Sequence, residues 1–304
     1  MTDDHARRRA GLLLGLGAYL LWGVLPLYFK ALATVVPTEI VAHRIVWSLL
    51  FLGALATIWR RWPAIRAAVT TPRVLLILVA TSMLIGINWL VYIYAVVSDH
   101  VLEGSLGYYL NPLVNVLLGV VLLKERLSRA QLFATLLAAA GVAVLAAGAG
   151  SGLWISLTLA ASFALYGFVR KVAPVDSLEG LSIETAILAP LALGWLIWLQ
   201  RAGTAGFGEQ GLTIDLLLML GGAITAIPLL LFTAAARRLP YSTLGFLQYI
   251  APSLQFLLAV LAFGEPLTVP HLVCFGAIWT ALAIFTFEGW RGARARARPT
   301  APAQ

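Results

Sequence analysis

Tyr109-Leu110-Asn111-Pro112 and, 140 residues later, Tyr249-Ile250-Ala251-Pro252 decide the fold of this chain. The same shift sets Leu117 on Leu257, Glu125 on Glu265 and Leu127 on Leu267. Continued upstream without gaps, it sets Glu39 on Glu179 and Arg44 on Glu184. Chance similarity among apolar helices leaves the matched Tyr-x-x-Pro and Glu positions unexplained. The chain therefore reads as a duplication, with copies over 11–148 and 152–288.

Each copy is almost wholly apolar. Of 304 residues, 61% are hydrophobic and only 11% charged, and the mean hydropathy is +0.92. Soluble domains carry about 25% charged residues, so a soluble enzyme and a disordered chain are both excluded. A helix needs about 20 predominantly apolar residues to cross the hydrocarbon core of a bilayer. Segments of that kind recur at 11–30, 39–59, 73–97, 102–123 and 128–148. They continue at 153–171, 179–200, 213–236, 241–263 and 267–288. Gly148-Ala149-Gly150-Ser151-Gly152 divides the fifth from the sixth. The expected fold is all-α and membrane-integral, with ten transmembrane helices in two five-helix repeats and short tails at 1–10 and 289–304. The first segment has no short apolar core followed by a small-residue cleavage site, so it reads as a retained span.

Five spans per copy is odd, so the second copy enters the membrane from the opposite side. The basic residues agree. With both termini cytoplasmic, 18 of the 21 Lys and Arg fall on cytoplasmic segments, the exceptions being Lys30, Arg44 and Arg201. That bias is the positive-inside rule, and it accounts for the net charge of +8 without nucleic acid. Lys124, Arg126 and Arg129 correspond to uncharged Gly264, Pro266 and Val269, while Arg237 and Arg238 correspond to Val97 and Ser98. Inverted repeats of this type are a signature of secondary transporters, with the substrate site near mid-membrane between the copies.

Across these residues the chain resembles RarD-type permeases of the EamA group, in the drug/metabolite transporter superfamily. The resemblance rests on Ala18-Tyr19-Leu20-Leu21-Trp22-Gly23, Glu39-Ile40 with His43-Arg44, and Gly86-Ile87-Asn88-Trp89. It continues through Leu106–Pro112, Tyr166-Gly167 with Arg170-Lys171, Ile183-Glu184-Thr185, Phe232–Ala236 and Ser242–Phe246. It implies two inverted five-helix repeats around a central cavity, lined by the first, third, fourth, sixth, eighth and ninth helices. Lys124 before Glu125 departs from the Gly-Glu common in the wider group, which Gly264-Glu265 keeps. The implied location is the inner membrane, and family analogy favours export over uptake.

Candidate site residues follow from side chains that lipid would not tolerate. Tyr108, Asn111 and Asn115 share one helix face, and Gln248 and Gln255 match Tyr108 and Asn115 in the second copy. An amide facing lipid would leave donors and acceptors unpaired, so these groups face either a cavity or another helix. Pro112 and Pro252 each lack a backbone donor and release the carbonyls of Tyr108 and Gln248. Asn88, Trp89 and Tyr92 in the third span, with Trp22 and Tyr166 in the first and sixth, add polar-tipped aromatics at mid-depth. These ten residues form the candidate substrate cavity, suited to small amphipathic metabolites or drugs.

Intramembrane charges form a second candidate set, for coupling or gating: Arg44, Glu184, Arg170 and Lys171. Arg44 and Glu184 lie five residues inside matching spans that enter from opposite faces. At about 1.5 Å per residue each is roughly 7–8 Å deep, which leaves roughly 15 Å between them in a core of about 30 Å. No direct pair is expected. Arg44 instead is expected to meet Glu39, Asp99 or Glu103, and Glu184 to meet Arg170 or Lys171; such pairs either latch the two faces, or Glu184 accepts a coupling proton. Snorkelling or static pairing is the alternative.

No enzyme is indicated. Ser98-Asp99-His100 are adjacent and cannot form a catalytic triad, no histidine or cysteine spacing suits a metal, and no phosphate loop is present. No cofactor is expected. The expected partners are a small-molecule substrate and the lipid bilayer, with a homodimer left open. A non-transporting membrane receptor or assembly factor is the alternative class.

Overall fold

A computed structural model describes residues 2–97, 101–147, 152–262 and 269–297, and every element among them is an α-helix. In chain order these are α1 (Thr2–Ala31), α2 (Pro37–Ile58), α3 (Trp62–Thr70), α4 (Pro72–Val97), α5 (Val101–Val121) and α6 (Arg129–Ala146). The second half holds α7 (Leu153–Val172), α8 (Ser177–Arg201), α9 (Leu212–Ala236), α10 (Tyr241–Gln248), α11 (Ile250–Leu261) and α12 (Val269–Ala297). Local chemistry sets several boundaries. Pro37 opens α2, where its missing donor is harmless, and Ser128 with Gln131 makes a reciprocal capping box on α6. Gly211 precedes α9 with φ 94°, a conformation that suits glycine.

Eight helices are long and apolar enough to cross a membrane: α1, α2, α4, α6, α7, α8, α9 and α12. This is a multi-pass integral membrane protein. Helices also stand where the fourth and ninth spans were expected, and only the ninth is broken. In the fourth, α5 runs through Pro112 without a break. The ninth position is split at Tyr249, three residues before Pro252, and the Tyr249 N–H turns back to the Phe246 carbonyl. The two prolines therefore do not act alike. Two further differences concern the connections: α3 is an extra short helix burying Ile65 and Ala68, and α1 and α12 run on into the basic tails.

The exterior is apolar. Leu13, Leu50, Leu76, Leu90, Leu136 and Leu191 all project outward, the arrangement lipid requires and water opposes. Inside, helices of the first half pack mainly on helices of the second. α2 lies against α8 and α9, α1 against α9 and α11, α5 against α7 and α10, α4 against α7, and α6 against α12. Gly222 permits the tightest of these approaches, since a Cβ there would lie 2.3 Å from the Trp47 carbonyl carbon. Ser48 donates to the Gly222 carbonyl at the same crossing, 3.0 Å away.

Candidate functional site

A cavity of about 340 Å³ opens between α1, α2, α4, α5, α7, α9, α10 and α11. That volume lies within the usual range for small-molecule sites, about 300–1,000 Å³. From α1 come Tyr19, Trp22, Leu25, Pro26 and Phe29. Arg44 enters from α2, and α4 supplies Ile85, Asn88, Trp89 and Tyr92. Tyr108 of α5 and Phe163 of α7 face them, with Thr225 and Leu229 of α9 alongside. The broken ninth segment completes the wall with Gln248, Ala251, Pro252 and Gln255.

Gln248 and Gln255 reach the same cavity from the two short helices on either side of the Tyr249 break. A second proline explains Gln255. Pro26 cannot donate to the carbonyl of Trp22, and Gln255 Nε2 supplies the missing hydrogen bond at 3.0 Å. Asn88 likewise donates to the Leu159 carbonyl at 2.9 Å and to Ser162 Oγ at 3.0 Å. Each of these amides borders the cavity while tying helices together.

Seven of the ten expected cavity residues line it: Trp22, Asn88, Trp89, Tyr92, Tyr108, Gln248 and Gln255. Asn111, Asn115 and Tyr166 do not. Asn111 donates to the Ala160 carbonyl at 2.9 Å, and Asn115 donates to Gln248 Oε1 at 2.6 Å and Asn111 Oδ1 at 3.2 Å. They bridge α7, α5 and α10 as interhelical contacts. The reason is close packing: a Cβ on Gly245 would lie 2.8 Å from the Pro112 carbonyl oxygen and 3.0 Å from Asn115 Cβ, leaving no space there. Tyr166 is fully buried beneath Phe163, 6.0 Å away between ring centres.

Tyr19, Phe163 and Phe232 form an aromatic floor, with Phe163 and Phe232 centred 5.3 Å apart. Beyond it lies the buried Glu184. Thr81 donates to one carboxylate oxygen, Tyr166 donates to the other at 3.2 Å, and Arg170 Nε stands 3.6 Å away. Arg170 also donates to the carbonyls of Asp176 and Ser177, both at 3.3 Å. Its path requires Gly180, where a Cβ would fall 1.9 Å from Arg170 Nη1. Lys171 takes no part in this cluster; it donates to the carbonyls of Ala236 and Leu239. Arg61 pairs with Asp176 and Glu179, Arg237 with Asp176, and Arg7 reaches the Arg237 carbonyl. This basic end of the bundle is thus sealed by cations bonded to carbonyls and carboxylates.

Arg44 has different surroundings from those expected. Glu39 accepts from the N–H groups of Gly206 and Phe207 and lies 3.7 Å from His43, so it is spent elsewhere. Asp99 and the side chain of Glu103 lie outside the described residues, as does the Ser98-Asp99-His100 run. Arg44 Nε donates to Thr225 Oγ1 at 2.7 Å, and the guanidinium stands 5.4 Å from the Phe29 ring centre and 5.7 Å from that of Trp89. No Arg44–Glu184 contact forms. Of the residues sequence reading passed over, Pro26 carried a usable signal, while Phe29, Phe163 and Leu229 resemble any lipid-facing residue. Among the described residues no group of His, Cys, Asp or Glu is placed to hold a metal.

Residues 9–147 match the EamA-like transporter family. An uncharacterized transporter of Vibrio cholerae serotype O1 is 45% identical over 298 residues, covering 98% of this chain and 99% of its own length. Protein RarD of Escherichia coli K12 is 45% identical over 285 residues, 94% of this chain and 96% of its own. A crystal structure of 22% sequence identity superposes with a TM-score of 0.69 over 92% of this chain and 98% of its own, a likeness of fold alone.

Proposed function

The chain belongs to the EamA-like transporter family, and on that premise we propose that it is a secondary transporter of small amphipathic metabolites or drugs, working by alternating access. The observation that carries this reading is the polar-tipped aromatic cavity, closed at the basic end by the aromatic floor and the cation–carbonyl contacts.

Ten spans in two inverted repeats are part of the proposal. Helix pairing supports it: α1 on α9 has its counterpart in α7 on α4, and α5 on α7 in α11 on α1. These pairings exchange when each helix is replaced by its partner 140 residues away. With both termini cytoplasmic, as the positive-inside bias indicates, the cavity faces the outer side. Rocking one repeat against the other would open the basic end in turn. Export is the direction we favour, following the family resemblance.

Glu184 is the proposed proton acceptor. Protonating it removes the charge that Arg170 faces and leaves Thr81 and Tyr166 competing for weaker acceptors, which loosens the contacts between α4, α7 and α8. Uptake of a metabolite library into proteoliposomes, with and without a pH gradient, tests the whole reading. Solute accumulation that collapses with the gradient, and a Glu184→Gln variant that moves solute but ignores the gradient, are the expected results. No movement of any solute under any gradient would turn the assignment to a membrane receptor or assembly factor.

A further inference from the structure

Arg44 is the one charged side chain among the residues lining the cavity, and no described carboxylate pairs with it. Only Nε is engaged, with Thr225, so the terminal nitrogens have no acceptor among the described residues. A cation at this depth is expensive unless something answers it. Glu39 stands five residues earlier on the same helix, yet its oxygens are committed to the Gly206 and Phe207 amides. The rings of Phe29 and Trp89 hold the guanidinium in place, which orders the group before any ligand arrives.

From this geometry we infer that the cavity recognises a monoanion, with a carboxylate on Arg44 and an apolar or aromatic body against Trp22, Trp89 and Phe163. The inference rests on the transporter reading and narrows its substrate class. One guanidinium balances one negative charge, and its planar fork matches a carboxylate in two parallel hydrogen bonds. A phosphate dianion would lack a second cation among the described lining residues. Tyr92, Tyr108 and Gln248 line the same cavity, and their hydroxyls and amide supply further hydrogens to such a group. Apolar and aromatic walls occupy most of the remaining surface, which favours a body such as a phenyl ring over a sugar.

The test compares binding of 3-phenylpropanoate, 3-phenylpropanamide and phenyl phosphate to the full chain in lipid nanodiscs. A charge-assisted bidentate contact predicts that the carboxylate binds about tenfold or more tighter than the amide. Arg44→Gln brings that ratio to about one by weakening the carboxylate while leaving the amide unchanged, and Arg44→Lys restores part of it. Equal binding of carboxylate and amide to the native chain overturns the inference without recourse to any variant. Tighter binding of phenyl phosphate overturns the carboxylate assignment. Transport assays on the same ligands separate the two proposals. Movement of the amide as fast as the carboxylate leaves the transporter reading and removes the anion site. A persistent binding ratio with no transport of either does the reverse.

Discussion

Arg44 and Glu184 stand 140 residues apart, each seven residues beyond the first residue of its helix, α2 and α8. Each meets a threonine from a neighbouring helix, Thr225 for Arg44 and Thr81 for Glu184. Beyond that they part. Glu184 is enclosed with Arg170, Tyr166 and Thr81, and its residue is 2% exposed. Arg44 borders an open cavity, and its terminal nitrogens have no acceptor among the described residues. One register has thus been used to close the bundle at one end and to charge its cavity at the other. The difference tracks packing: α8 carries Gly180, which lets Arg170 reach the carboxylate, whereas the cavity holds Arg44 away from any described acid.

The largest expected effect breaks the closed member of the comparison. Arg170→Met strands the Glu184 carboxylate and should lower stability by about 3–5 kcal/mol, read as thermal unfolding in detergent. Combining it with Glu184→Leu should recover most of the loss, because replacing both partners removes the buried charge altogether. A double variant no more stable than Arg170→Met would show that the pair does not account for the effect.

An intermediate effect probes the helix crossings that hold the two environments apart. Gly222→Ala places a methyl against the Trp47 backbone and should cost about 1–3 kcal/mol through overpacking between α2 and α9. At Gly86, between α4 and α8, the nearest atom to an added Cβ is Leu188 Cδ2 at 3.5 Å, an ordinary contact. Gly86→Ala should therefore be neutral or stabilising by up to about 1 kcal/mol, the helix-propensity gain. Equal losses at both sites, measured by the same unfolding assay, would erase the proposed contrast between a tight and a loose crossing.

The smallest expected effect concerns the open member. Arg44→Gln should change stability by about 1 kcal/mol or less, because Arg44 borders the open cavity and no described carboxylate is stranded by its loss. A loss comparable to that of Arg170→Met would place Arg44 among the structural cations and withdraw its assignment to a ligand.

Much of this was legible in the residues themselves. The apolar segments located the helices because lipid contact imposes length and composition directly on a sequence. Depth left Glu184 a partner in Arg170 or Lys171, since both belong to the same end of the bundle, and packing selects Arg170. Pro112 and Pro252 looked equivalent, yet only the second coincides with a broken helix. Asn111 and Asn115 looked like cavity residues, yet Gly245 lets α10 close over them. A missing side chain on a neighbouring helix decided both amides, and it lies 130 or more residues away in the chain.

What the sequence determined alone was membrane residence, the position of the helices and the bias of basic residues, together with kinship to a transporter family. Each depends on local hydropathy or on summed similarity, which need no partner. What tertiary structure decided was the use of each polar group. An amide or a guanidinium must be satisfied somewhere inside a bilayer, but cavity, carbonyl and carboxylate all meet that demand. Only the packing of one helix against another selects among them, and here it left Arg44 facing open space and Asn115 facing Gln248.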